Sequence, residues 1–400
     1  MRARLPLLLL SWLAAVNGRA PLFALGPVLP LVVADLGLSF TLAGVLPSLP
    51  LLFMGLCALP GGLVVDRFGA RRLVAVGLLV VGLAGAGRAL APSAALLALT
   101  TALLGGAIGI LQPALPRVAR DAWPGRVGLA TAVYSNGFIL GGFLGIALTP
   151  PLLVLVGALS WRGLFVVWGL AALVGAAGWA VAARGEQRAR AALPTSAAAT
   201  LGSPWRSVVD AMRIPGLLPL TIAFGSQSAI FYAFGSWLPA YLMSHGWSLA
   251  ATAGPAATVA LVAIPVGLLT TPLVDVVGRR PVLALAGLAT LPAPIGLLFW
   301  PDGAWLWAAL AGGGTTAAFS VCLTGPAELA APDRVGATAG AMLTLGYVAS
   351  VTGPLTIGAL RDLTGGYELG LWVLALLAVV LTAAALETPS RSSRLAPGVA

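Results

Sequence analysis

The sequence predicts an all-α membrane protein of twelve transmembrane helices, arranged as two pseudo-symmetric six-helix bundles. Hydrophobic residues make up 59% of the 400 residues and charged residues only 8%, with a mean hydropathy of +1.01, whereas a soluble domain carries about 25% charged residues. Apolar runs long enough to cross a bilayer, which takes about 20 residues as a helix, recur along the chain. The second half of the chain also repeats motifs of the first half at a constant spacing.

The twelve predicted spans follow one another with polar connections that are short except for the linker over 184–216, so no soluble domain of ordinary size remains between them. They cover residues 5–33, 42–65, 73–91, 95–118, 127–149, 161–183, 217–243, 250–274, 281–300, 304–330, 335–360 and 369–387. The first run could pass for a signal peptide because two arginines precede it. It continues well past the roughly 7 to 15 apolar residues of such a peptide, so we interpret it as an uncleaved first span.

An internal repeat divides the chain. The connection "GGLVVDRFGARR" between spans two and three matches "TTPLVDVVGRR" between spans eight and nine, with Asp66 and Asp275 separated by 209 residues. Two further pairs agree: "RVGLATA" with "RVGATAG" at 208, and "GFILGGFLG" with "GYVASVTGP" at 209. The repeat predicts an N-terminal bundle over 1–183, a cytoplasmic linker over 184–216 and a C-terminal bundle over 217–400. Parallel halves of this kind form transporters whose binding site lies near the midplane between them.

The net charge of +10 indicates membrane topology rather than a nucleic-acid partner. Every basic residue is an arginine, and 18 of the 22 fall on one side of the predicted membrane or at its boundary. An excess of positive residues marks cytoplasmic loops, so both termini of this multi-pass protein are predicted to be cytoplasmic. Arg19, Arg88, Arg162 and Arg361 fall elsewhere, and Arg88 is expected to snorkel to the interface or to line the mouth of a cavity.

The first repeated connection carries a family signature. Gly62, Asp66, Arg67, Gly69, Arg71 and Arg72 match the pattern G-x-x-x-D-R-x-G-x-R-R, and Asp275, Gly278, Arg279 and Arg280 form a weaker copy. In this signature the chain resembles the major facilitator superfamily, which implies the major facilitator fold and a monomer. The resemblance also implies that a cytoplasmic gate is closed by Asp66, Arg67, Arg71, Arg72, Asp275, Arg279 and Arg280. Arginines suit helix C-termini and aspartates suit helix N-termini, which favours this role. The alternative is that these residues are ordinary positive-inside loop charges.

Several segments resemble the cyanate and nitroimidazole transporter family within that superfamily. They are "NGRAPLFALGPVLP", "LPLLFMGL", "ATAVYSNGF", "SQSAIFYAFGSWLPAYL" and "GYVASVTGPLTIGALRDLTGGY", and together they extend over most of the chain. The resemblance implies a transporter of the cell inner membrane that contacts the lipid bilayer and binds a small-molecule substrate.

One charge is predicted to lie in the middle of a span. Arg19 stands at the centre of the first apolar run, where a charged side chain costs about 2.5 to 3.5 kcal/mol and usually faces the bundle interior. Pro21 cannot donate a backbone hydrogen bond and crowds the carbonyl of Asn17, so we expect the helix to loosen there against the central cavity. No Asp or Glu falls near the middle of any predicted span, so Arg19 lacks an obvious carboxylate partner.

This unpaired guanidinium predicts anion binding. An anion from solution would supply the missing negative charge, and the planar fork of the guanidinium matches carboxylate-like or linear anions. Alternatively, Arg19 braces its helix through neutral acceptors such as the Asn17 carbonyl, Gln112, Asn136 or Gln227. Other polar residues within spans are candidate substrate contacts or interhelical hydrogen-bond partners. The predicted substrate-binding residues are Arg19, Asn17, Gln112, Tyr134, Asn136, Gln227, Tyr232 and Tyr347.

The sequence therefore predicts a secondary active or facilitative transporter, and not an enzyme, that moves a small anion or a nitro-bearing solute by alternating access. It contains no phosphate loop and neither H-E-x-x-H nor a nucleophile elbow, and Cys57 and Cys322 lie in opposite halves, so no catalytic residue, metal or cofactor is predicted. The lack of mid-span acids argues against a carboxylate-based proton relay. Two alternatives stay open: an exporter of a neutral hydrophobic drug-like compound, with Arg19 structural, and a non-transporting membrane sensor.

Overall fold

Helices account for the fold of the chain. The computed structural model describes residues 5–123, 127–157, 160–190, 204–330 and 335–389, and these ranges contain no strand. The described α-helices are α1 (Leu5–Phe23), α2 (Leu25–Leu36), α3 (Phe40–Phe68), α4 (Ala70–Gly87), α5 (Ala94–Ala122), α6 (Val127–Ala147), α7 (Thr149–Val156), α8 (Ser160–Arg190), α9 (Pro204–Met212), α10 (Leu217–Ser244), α11 (Leu249–Leu261), α12 (Ala263–Val277), α13 (Arg279–Thr290), α14 (Pro292–Phe299), α15 (Ala304–Leu329), α16 (Val335–Ser350), α17 (Thr352–Thr364) and α18 (Glu368–Glu387). Short 3₁₀ helices cover Arg88–Leu90 and Pro301–Gly303.

These helices form the predicted membrane spans. Within the described ranges, eleven helical stretches are long and apolar enough to cross a membrane, and the pair Val133–Ala147 and Thr149–Val156, bent by 51°, brings the number to twelve when it is counted as one span. The prediction of an all-α protein of twelve spans is therefore confirmed. The helical pair of the fifth span continues to Val156, helix α8 runs on to Arg190 beyond its apolar span Trp161–Ala182, and α9 lies inside the predicted linker. The division into 1–183, 184–216 and 217–400 stays a prediction.

Prolines explain where the described spans are interrupted. A proline inside a helix lacks an N–H group and clashes with the carbonyl four residues earlier. In each interrupted span the first helix ends four residues before a proline: Phe23 before Pro27, Ala147 before Pro151, Leu261 before Pro265, Thr290 before Pro294 and Ser350 before Pro354. The first span does not loosen at Asn17 as expected, because α1 runs unbroken through that turn and ends only at Phe23.

The connections between helices have the same backbone conformation at equivalent positions of the two repeats. Glycine is the residue that adopts a positive φ without steric cost, and two pairs of glycines, each 209 residues apart, do so. They are Gly37 with Gly246, at 59° and 88°, and Gly69 with Gly278, at 92° and 90°. Ser39 and Ser248, also 209 residues apart, cap the next helices through their side chains. The two halves of the chain therefore encode the same turns.

The two repeats close against each other at one end of the bundle, which we call the Asp362 end. There the carboxylate of Asp362 accepts hydrogen bonds from the backbone N–H groups of Phe40 and Thr41 at 2.9 and 2.6 Å. These N–H groups belong to the first turn of α3, where no helical partner is present, and a negative charge is favourable at a helix N-terminus. Arg361 adds a contact over the ring of Phe40, 5.0 Å from its centroid. A helix of the second repeat thus caps a helix of the first.

Helices α2 and α10 cross at two glycines, Gly26 and Gly235, that are related by the internal repeat. Residues 19–30, "RAPLFALGPVLP", and residues 228–239, "SAIFYAFGSWLP", again 209 apart, share the pattern A-x-x-[FY]-A-x-G-x-x-L-P. A Cβ atom on Gly26 would overlap the carbonyl oxygen of Gly235. Small residues of this kind let helix backbones approach closely in membranes, so the shared glycine positions the two repeats against each other seven residues after Arg19.

Candidate substrate site

Arg19 lies at the interface of the two repeats. It belongs to α1, near the middle of the 31-residue span Pro6–Leu36, and is only 7% exposed. Its Nη1 donates to the hydroxyl of Tyr232 on α10 at 2.6 Å, and its Nη2 donates to the hydroxyl of Tyr347 on α16 at 3.5 Å. A cation of the first repeat is therefore bound by two hydroxyls of the second.

Aromatic rings surround these hydrogen bonds. The ring of Phe138 lies 5.3 Å from the Arg19 guanidinium, and Phe23 stacks on Tyr232 with 5.6 Å between centroids and 15° between planes. Tyr347 packs edge-on against Phe224 at 5.3 Å. Ring faces carry partial negative charge and attract cations. Within the described ranges Arg19 contacts no carboxylate, so rings and hydroxyls form its environment.

Four of these rings are related by the internal repeat. Phe23 and Tyr232 lie 209 residues apart, as do Phe138 and Tyr347. In each pair the first repeat contributes phenylalanine and the second contributes tyrosine, while Ser228 occupies the position equivalent to Arg19. The scaffold of rings is symmetric, but the hydrogen-bonding groups are not.

Two further predicted contacts lie beside this cluster. The side-chain amide of Gln112 donates to the hydroxyl of Tyr347 at 3.4 Å, so one hydroxyl is shared by two donors from the first repeat. Tyr134 packs edge-on against Phe138 at 6.2 Å. The structure thus brings Arg19, Gln112, Tyr134, Tyr232 and Tyr347 together.

The side chains of the other three predicted substrate-binding residues form hydrogen bonds away from Arg19. Asn17 donates to the carbonyl of Leu13 in its own helix at 2.9 Å, a common local bond for this side chain. Asn136 accepts a hydrogen bond from the indole of Trp12 at 3.1 Å, and Gln227 donates to the hydroxyl of Ser228 at 2.6 Å. The neutral acceptors suggested for Arg19 by the sequence are therefore not its partners in the structure, since the tyrosine hydroxyls take that place.

The predicted gating residues lie at the opposite end of the bundle, which we call the Arg279 end. The side chains of Asp66 and Arg67 lie outside the described part of the structure. Among the other gating residues, Arg71 is half-buried, and three are exposed: Arg72, Asp275 and Arg280. Gating by these residues stays a prediction.

Arg279 is the buried member among the gating residues whose side chains the structure describes. It is 5% exposed and forms an ion pair with Glu328, one residue before the end of α15. Both residues belong to the second repeat, so this ion pair braces α13 against α15 within one half.

Sequence reasoning missed two rings of the site and misplaced one arginine. Phe23 follows Arg19 by four residues and Phe138 follows Tyr134 by four, and this spacing places each pair on one helix face. Arg88 does not snorkel to the interface, because it is fully buried with its guanidinium 4.1 Å from the ring centroid of Phe165.

The helical bundle and its apolar spans define a class, the multi-pass helical membrane proteins. A sequence model of the Major Facilitator Superfamily matches residues 7–354. The chain belongs to the Major Facilitator Superfamily, as its loop signature predicts.

Relatives of known name refine this assignment. The chain is 30% identical to the cyanate transport protein CynX of Escherichia coli (strain K12), over 94% of both chains. It is 29% identical to the 2-nitroimidazole transporter of the same organism, over 89% of this chain and 88% of the relative. Its fold is similar to the crystal structure of a bacterial homolog of the human lysosomal transporter Spinster in an inward-facing and unoccupied conformation, with a TM-score of 0.79, 16% identity and coverage of 96% and 98%. The predicted resemblance to cyanate and nitroimidazole transporters is confirmed.

Proposed function

We propose that this protein is a secondary active or facilitative transporter that carries a small anion or a nitro-bearing solute across the cell inner membrane by alternating access. The observation that carries the proposal is Arg19, a buried mid-span guanidinium whose partners are the uncharged hydroxyls of the opposite repeat. An anion that reaches this point would supply the charge that the protein leaves out. Two relatives named for cyanate and 2-nitroimidazole transport support the same substrate class.

Recognition would use donors from both repeats. The guanidinium offers parallel N–H groups in one plane, and a tyrosine hydroxyl can donate as well as accept. A negative oxygen placed between Arg19 and Tyr232 could therefore accept hydrogen bonds from both. Hydrogen bonds to charged groups contribute about 1.5 to 3 kcal/mol each. The face of Phe138, whose centroid lies 5.3 Å from the guanidinium, suits a small delocalised ligand such as a cyanate ion or a nitro group.

Substrate entry requires the repeats to move apart. The cavity beside Tyr232, lined in part by Phe23, Gly26 and Gly235, has a volume of about 20 Å³, which is room for about one water molecule. With both termini in the cytoplasm, as the arginine distribution indicates, the Asp362 end faces outward and is closed. Rocking of one repeat against the other would then open the site to either side in turn.

Uptake by purified protein in proteoliposomes tests this proposal. A thermal-shift screen against cyanate, nitrate, small carboxylates and nitroimidazoles would first select the compounds that bind. We expect at least one of them to accumulate inside vesicles containing the wild-type chain, and Arg19→Ala to abolish that accumulation while the folded protein remains in the membrane. Binding without accumulation would contradict the proposal and indicate a sensor.

A second candidate is an exporter of a neutral hydrophobic compound, in which Arg19 only braces the interface. It is favoured by the fact that both terminal nitrogens of Arg19 already have hydroxyl partners. Retained transport of a neutral drug-like compound by Arg19→Ala would support this candidate and exclude the anion carrier.

A further inference from the structure

Arg88 is a second buried arginine that the proposed site does not use. It lies where α4 meets the 3₁₀ helix Arg88–Leu90 and is fully buried. Its Nη2 donates to the backbone carbonyl of Pro21 at 2.7 Å, and its guanidinium packs on Phe165 of α8. In the part of the chain that the structure describes, no carboxylate pairs with it. A charged side chain within a membrane span is costly, so its presence indicates a structural or functional role.

The carbonyl of Pro21 is one of those that α1 leaves without a helical partner. The last helical hydrogen bond of α1 runs from the N–H of Ala24 to the carbonyl of Ala20 at 3.0 Å. Pro27 prevents the helix from continuing, so the carbonyls from Pro21 onward lie at a helix C-terminus. Inside a membrane no bulk water can satisfy such a group, and a cation is the favourable donor at that end of the helix dipole.

We propose that Arg88 is a positioning residue that caps the broken end of α1 and so holds Arg19 and Phe23 in the site. Pro21 lies two residues after Arg19 and two residues before Phe23, within the last turn of the helix that carries both. Arg88 contacts neither the substrate nor Arg19, and acts through the backbone carbonyl between them. The cap stands on this geometry, while its effect on substrate binding rests on the proposed function.

A double-mutant cycle between Arg88→Met and Pro27→Ala tests the cap. The alanine introduced by Pro27→Ala has an N–H that can donate to the carbonyl of Phe23, so the helix can close across the break and the N–H of Leu25 can bond to Pro21. We expect Arg88→Met to lower the unfolding midpoint in detergent and to weaken binding of the anion probe selected above, cyanate or nitrate, by about tenfold or more. In the Pro27→Ala background both losses should fall by at least half, because the carbonyl no longer needs Arg88.

The matched control is Arg162→Met. The Arg162 guanidinium also lies 4.1 Å from the centroid of an α8 ring, that of Trp161, but it bonds to Asp35 and to the Ala91 carbonyl instead of the α1 break. Its losses should be the same in the wild-type and the Pro27→Ala backgrounds. Arg88→Lys, which keeps a donor and a charge, should restore part of the midpoint and of the probe affinity.

Equal losses for Arg88→Met in both backgrounds would overturn the proposal, as would failure of the Arg88→Met/Pro27→Ala variant to fold. Folding of that double variant where Arg88→Met alone fails would support it. Failure of the proposed function gives a different pattern, because Arg19→Ala would then leave probe binding unchanged while the cycle on the unfolding midpoint still reports on the cap.

Discussion

The two repeats of this chain share their scaffold and differ in the chemistry that they bring to its centre. Phe23 and Phe138 of the first repeat match Tyr232 and Tyr347 of the second, and the position of Arg19 is taken by Ser228. The first repeat therefore supplies the charge, and the second supplies the hydroxyls that meet it. Neither half alone contains a hydrogen-bonded site.

This difference indicates which features serve packing and which serve function. Features present at both positions of the repeat, such as the positive-φ glycines and the paired rings, build turns and helix contacts. Features present once, such as the guanidinium of Arg19 and the two hydroxyls, have no structural counterpart across the pseudo-symmetry axis. Because the unique groups converge from opposite halves, any ligand held there would contact both.

The largest effect on helix packing is expected at the glycines of the α2–α10 crossing. Gly26→Ala would place a Cβ on the Gly235 carbonyl oxygen, whereas a Cβ on Gly235 meets only the ring of Phe23 at 3.8 Å, an ordinary contact. Overpacking costs about 1 to 3 kcal/mol, so Gly26→Ala should reduce transport at least about tenfold and Gly235→Ala only slightly. Uptake rates and unfolding midpoints of both variants check this. Equal losses would show that the two positions are equivalent.

The larger of two effects on substrate affinity is expected from loss of the hydrogen bond between Arg19 and Tyr232, which is shorter than that between Arg19 and Tyr347. Tyr232→Phe makes the ring pair identical in both repeats and removes the acceptor at 2.6 Å from Arg19. A hydrogen bond to a charged group is worth about 1.5 to 3 kcal/mol, so the transport KM should rise about 10- to 100-fold. Phe23→Tyr, which adds a hydroxyl to the other member of the pair, serves as the control and should not rescue Tyr232→Phe. An unchanged KM would show that the Tyr232 hydroxyl does not take part in substrate binding.

The smallest effect is expected at Tyr347. Its hydroxyl is 3.5 Å from Arg19 and 3.4 Å from Gln112, so both hydrogen bonds are long. Tyr347→Phe should raise KM by about 2- to 10-fold, in line with roughly 0.5 to 1.5 kcal/mol for an ordinary hydrogen bond. Gln112→Leu in the same background should add little, because both act through one hydroxyl. Additive losses would mean that Gln112 contacts the substrate independently.

Much of the fold could be predicted from the sequence because a membrane span is a local property. Span positions, the repeat and the central charge of Arg19 follow from apolar runs and motif spacing. The partners of Arg19 could not be predicted in this way, because Tyr232 and Tyr347 lie 213 and 328 residues away. Their position depends on which helices meet after folding.

The positions of the helix breaks could also be predicted only in part from the sequence. The rule that a proline disfavours the carbonyl four residues earlier locates all five interruptions in the described ranges. The rule does not say which prolines interrupt a helix, since Pro21 and Pro47 lie inside the intact helices α1 and α3. Packing against neighbouring helices decides between a tolerated proline and a break, and the sequence alone predicted loosening at Asn17 instead of Phe23.

Binding of the transported anion to Arg19→Gln tests the central claim most directly. Glutamine keeps neutral hydrogen-bonding capacity at this position and removes the charge. Titration calorimetry of the purified proteins should show an affinity at least about 100-fold weaker for Arg19→Gln than for the wild type, with an unfolding midpoint that is unchanged or higher because a buried charge is gone. An unchanged affinity together with a lower midpoint would contradict the claim and make Arg19 a brace between the repeats.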